Sequence, residues 1–96
     1  MYRAVIHHPI TRVYETEDFE GIVTRFAEAS GGYWILTSRG STKKRPIPFG
    51  ELVYEFDNEI EAEDFVEEVK SRDPKVDGYV RQTSAYYEGR EGLLRP

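Results

Sequence analysis

Two apolar stripes, each spaced i, i+3, i+4, i+7 and each flanked by short strand-forming runs, constrain this chain more than any other feature. The first is Phe19, Ile22, Val23 and Phe26, and the second is Ala62, Phe65, Val66 and Val69. Helix signals surround both. Thr16 suits an N-cap, and Glu17 and Asp18 place negative charge at the positive end of the first helix. Ser30-Gly31-Gly32 stops it, since glycine takes the left-handed C′ conformation without a Cβ penalty. Gly21, inside the stripe, costs about 1 kcal/mol against Ala and is expected to mark close packing. In the second helix Asn58 and Glu61 have capping-box spacing, Lys70 and Arg72 suit the negative end, and Asp73-Pro74 ends the run.

Strand signals lie between these helices. Tyr2 to His8 alternates loosely and stops at Pro9. Tyr33-Trp34-Ile35-Leu36-Thr37 lies between Gly32 and Gly40, Leu52 to Phe56 puts Leu52, Tyr54 and Phe56 on one face, and Gly78 to Tyr87 reads as a fourth strand. The order is β-α-β-β-α-β, in two halves, Tyr2–Ser38 and Glu51–Tyr87, of 37 residues each. Two interleaved strand-helix-strand units give an α+β fold, the ferredoxin-like sandwich: a four-stranded antiparallel sheet with both helices on one face. Residues 1–87 read as that single domain and residues 88–96 as a C-terminal tail, with Leu93 and Leu94 as its anchors. The other sheet face is then free for recognition. With Leu52, Tyr54 and Phe56 inward, Glu51, Val53 and Glu55 look outward. On the second strand either Trp34 with Leu36, or Tyr33 with Ile35, should join them.

Composition narrows the function. Of 96 residues, 13 are Lys or Arg and 18 are Asp or Glu, a net charge of −5, which disfavours wrapping nucleic acid over the whole surface. The chain has no Cys, which removes disulfides, thiolate metal sites and cysteine nucleophiles together. No apolar run is long enough to span a bilayer, and the first residues lack a signal peptide's apolar stretch, so the expected setting is cytoplasmic. Hydrophobic residues reach only 39%, so the aromatics, 14% of the chain, must supply much of the core. His7 and His8 point to opposite faces of a strand, cannot share a metal ion, and are expected to end that strand at the surface. No catalytic residue, metal or cofactor is expected.

Two charge clusters are candidate binding sites. Eight carboxylates fall within the fourteen residues from Glu55 to Glu68. With the second stripe inward, Glu61, Asp64 and Glu68 stand on the outer side of the helix at repulsive i, i+3 and i, i+4 spacings, a pattern that suits a basic partner. Arg39, Lys43, Lys44 and Arg45 lie in the connection between the second and third strands and could meet phosphate or an acidic surface. Trp34 and Tyr79 are candidates for an interface on the free sheet face, which could also pair the chain with a second copy.

Two resemblances bear on these choices. Gly50 to Phe56, running into Ala62-Glu63-Asp64-Phe65, resembles an RNA recognition motif. That family shares the element order and carries stacking aromatics on its third strand. Gly50 and Phe56 match, but the stacking positions hold Glu51 and Val53. The same strand and acidic helix are similar to the dimeric α/β-barrel proteins, in which two chains close their sheets against each other. The expectation is a small acidic regulatory protein that is not an enzyme and acts on a protein partner, as an adaptor or as an inhibitor, including one that imitates the charge of nucleic acid as some phage-encoded inhibitors do. The alternatives are a nucleic-acid module using the basic connection, and a dimeric barrel with ligand-binding or enzymatic activity.

Overall fold

The computed structural model describes residues 1–10, 16–40 and 49–83. The elements are β1 (Tyr2–Pro9), α1 (Thr16–Ala29), β2 (Gly32–Gly40), β3 (Phe49–Phe56), α2 (Glu59–Arg72) and β4 (Asp77–Gln82). The four strands form one antiparallel sheet in the order β2-β3-β1-β4. Both helices pack on the same face, where Val23 and Ala27 of α1 and Ala62, Phe65, Val66 and Val69 of α2 enclose Ala4, Ile6, Leu52, Tyr54 and Phe56. Phe65 sits at the centre, with ring centroids 5.4–5.5 Å from Phe26, Tyr54 and Phe56.

The second helix forms as its pattern dictates. All four stripe residues are buried, the Asn58 side chain accepts a hydrogen bond from the Glu61 amide at 3.1 Å, and Asp73 closes the far end. The first helix differs in one respect. Val23 and Ala27 are buried, but Ile22 is 58% exposed. The helix is turned so that Glu20 and Thr24 face the sheet, where they meet His8 and Tyr54. That rotation carries Ile22 away from the core. Gly21 marks no close packing: a Cβ there would meet only the Arg25 guanidinium, at an ordinary 3.5 Å. Tight approach occurs at the helix end instead. Gly31 takes φ +101°, the left-handed value expected of it. A Cβ on Gly32 would lie 2.4 Å from the Phe56 ring.

Neither reading of β2 is correct, because a bulge between Trp34 and Leu36 breaks the alternation. Trp34 lies opposite Tyr54, on the helix-bearing side. Tyr33, opposite Glu55, and Leu36, opposite Val53, both point to the helix-free side. The extra residue is what lets two positions three apart share a face. The described part of the fourth strand ends at Gln82. The expected continuation to Tyr87, the capping side chain of Thr16 and the 88–96 tail lie outside the described residues.

Candidate functional site

The acidic trio is brought together, but not on the outer side of α2. Residues 61, 64, 65 and 68 recur at three- and four-residue intervals, which places them in one row along a helix. Here that row borders α1, so Glu61, Asp64 and Glu68 line a groove of about 360 Å³ between the helices, with Phe26, Phe65 and Ser30. The sequence cannot show this border, because it depends on the side from which α1 packs. Glu61 and Asp64 are exposed, and among the described residues neither has a basic partner. Glu68 accepts a hydrogen bond from Arg72 Nε at 2.9 Å, and the Arg72 guanidinium lies 5.6 Å from the centre of the Phe26 ring. One arginine is therefore already held by a carboxylate and an aromatic face at the edge of this groove.

The basic cluster is only partly described. Arg39 is tied down: its terminal nitrogen donates to both oxygens of Glu20 on α1, at 3.3 Å each. Lys43, Lys44 and Arg45 lie outside the described residues. Trp34 and Tyr79, expected to share the free face, are on opposite sides of the sheet. The Trp34 indole donates to the Thr37 hydroxyl at 2.8 Å and borders a groove with Glu20, Thr24 and Glu28.

Tyr79 remains on the helix-free face, whose registers define three rows. Leu36, Val53, Val5 and Tyr79 form an apolar row across all four strands. On one side lie Tyr33, Glu55, Arg3 and Arg81, where Glu55 accepts from the Tyr33 hydroxyl at 2.7 Å and from Arg3 Nε at 3.5 Å. On the other lie Ser38, Glu51, His7 and Asp77, with His7 Nε2 at 2.7 Å from Glu51. The hydrogen bond to Glu55 raises the Tyr33 hydroxyl pKa above its ordinary value, with burial and the Glu55 charge adding to the shift. Glu51 and Val53, the positions set against the stacking rings of an RNA recognition motif, lie on this helix-free face. Neither offers a π surface, and Glu51 is engaged by His7.

His8 departs from its expected place. It points away from His7, as alternation requires, but it is buried at 1% exposure rather than lying at the surface. Nδ1 donates to the Pro9 carbonyl at 3.1 Å, Nε2 lies 3.6 Å from Glu20 Oε2, and the Phe19 ring covers the imidazole at 4.7 Å. Gly50 makes the room, since a Cβ there would fall 2.3 Å from Nε2. The glycine opposite His8 across β1 and β3 was the available signal for this burial. The surroundings are those of a packed side chain. Among the described residues no group of three or more His, Cys, Asp and Glu side chains could hold a metal ion.

No known family model matches the chain, and no curated protein matches it significantly. Among the described residues no helix is long and apolar enough to cross a membrane.

Proposed function

We propose that the chain is a non-catalytic binding module that holds a basic segment of a protein partner in the acidic groove between α1 and α2. The observation carrying this reading is the convergence of Glu61, Asp64 and Glu68 over the Phe26 and Phe65 rings. A Lys or Arg side chain laid in the groove covers the half-buried Phe26 ring with its apolar stem and brings its charge to the carboxylates. Arg72, between Glu68 and Phe26, displays the same chemistry within the chain. A scaffold of the ferredoxin-like type suits the role, and the strand order read from the other edge, β4-β1-β3-β2, supports that assignment. Adaptor and inhibitor roles both follow from capture of a basic surface.

The experiment is an NMR titration of the labelled protein with a Lys/Arg-rich peptide at low and moderate salt. Shifts should cluster on residues 26, 30, 61, 64, 65 and 68 and weaken as salt rises. The combined Glu61→Gln, Asp64→Asn, Glu68→Gln variant should keep the fold and lose the binding. Shifts elsewhere, or binding retained by that variant, would refute the reading.

A further inference from the structure

We infer that β2 is a self-association edge, and that two copies of the chain join through antiparallel β2–β2 pairing into a continuous eight-stranded sheet. Six large apolar side chains are exposed among the described residues: Ile22, Tyr33, Trp34, Leu36, Ile60 and Tyr79. Three of them lie on β2, which among the described residues is an edge strand bonded only to β3. Trp34, 51% exposed, is on the helix-bearing side, while Tyr33 and Leu36, 47% and 38% exposed, are on the helix-free side. A partner docking on one face of the sheet covers one of these sets and leaves the other in water. A strand added beside β2 extends both faces at once, and β2 still presents an outward row of backbone N–H and C=O groups to receive it. A long edge that is apolar on both faces is what natural sheets avoid unless something pairs with it.

Register and charge identify the added strand as a second copy. In an antiparallel pair, residues directly opposite share a face. A two-fold axis normal to the sheet keeps the helix-bearing sides of both copies together. Pairing Trp34 with Thr37 of the second copy then also sets Tyr33 against Ser38 and Gly32 against Arg39, and these three pairs match in face, with the bulged Ile35 falling at the centre. This register has an electrostatic consequence. Glu61 lies over Gly31, where a Cβ would sit 2.9 Å from its Oε1, immediately before β2 begins. Arg39 of one copy, held at 3.3 Å by Glu20 of its own chain, then lies alongside Gly32 of the other, where that copy's Glu61 offers the Arg39 guanidinium a second carboxylate, and symmetry makes the contact twice. β2 itself carries no acidic residue to oppose it.

Sedimentation equilibrium of the full chain tests this, with circular dichroism to verify folding. The wild type should be a dimer. Trp34→Glu and Leu36→Lys, on opposite faces, should each give monomers, while Tyr79→Glu remains dimeric. A charge exchange provides an independent arm. Arg39→Glu alone and Glu61→Arg alone each place like charges together twice and should be monomeric, whereas their mixture restores two opposite-charge contacts and should form heterodimers. A monomeric wild type at high concentration, a dimer dispersed by Tyr79→Glu but not by Trp34→Glu, or a mixture that stays monomeric would each overturn the inference.

Discussion

The hydroxyl of Tyr54, on the central strand β3, meets the hydroxyl of Thr24, on α1, at 2.8 Å inside the sheet-helix interface. This bond gives the buried phenol a polar partner and ties the α1 rotation to the sheet. Burial pushes the Tyr54 pKa up to about 12, against 10.0 for an ordinary tyrosine, with the Thr24 bond opposing the shift in part and the Glu20 and Glu28 charges adding to it.

Alkaline sensitivity follows from that shift. The folded pKa is raised, so the stabilising difference is fully present below pH 10 and is lost as pH climbs from there through about 12. In that window the unfolded chain releases a proton that the folded chain retains. The loss should reach on the order of 2 kcal/mol by pH 12. The raised Tyr33 acts in the same direction. Urea unfolding at pH 8, 10, 11 and 12 measures the slope, and Tyr54→Phe should reduce it. An unchanged slope in that variant would show that other groups carry the effect.

Two glycines should respond oppositely to alanine. Gly21→Ala removes a flexible residue from the interior of α1 where the added methyl meets no obstacle, so stability should rise by about 0.5–1 kcal/mol. Gly50→Ala drives a Cβ into the buried His8 ring and should cost about 1–3 kcal/mol. Paired denaturation curves decide both, and a neutral Gly50→Ala would mean that His8 can leave its place freely.

These glycines also show where the sequence stops being informative. The spacing of Ala62, Phe65, Val66 and Val69 and the alternation around Tyr54 identify core residues, because helix and strand periods alone fix which side chains lie together. Ile22 belongs to an equally regular stripe and is exposed, since α1 is turned to set the half-buried Glu20 and Thr24 against His8 and Tyr54. The placement of Leu36 relative to Trp34 depends on one bulged residue, which shifts the parity of everything beyond it and leaves no compositional mark. Glu61, Asp64 and Glu68 were recognisable as a group, but the groove they line is a property of two helices together.

Phe65 connects that groove to the core. Its ring contacts Phe26, Tyr54 and Phe56 and forms part of the groove floor. Phe65→Ala should cost about 3–5 kcal/mol, as for other buried aromatics, measured by chemical denaturation. Phe65→Leu should cost less and keep the fold. It also removes one aromatic face, so weaker binding of the basic peptide by the folded Leu variant would assign that ring a part in recognition.

Arg72 provides the sharpest test of the groove chemistry, because its energetic role in folding is small. It is an exposed residue paired with Glu68 at i, i+4, and such pairs contribute only about 0.3–0.5 kcal/mol. Arg72→Ala should therefore leave stability nearly unchanged. It also releases Glu68 and uncovers one face of Phe26, both of which a partner's guanidinium can then use. If the groove captures basic side chains, removing this internal competitor should tighten the Lys/Arg-rich peptide several-fold and increase the salt dependence of binding, since one more unpaired carboxylate becomes available. Isothermal titration at two ionic strengths reads both quantities. Weaker binding in the Ala variant would mean that Arg72 positions Glu68 and the Phe26 ring for the peptide, and would overturn its assignment as an internal competitor.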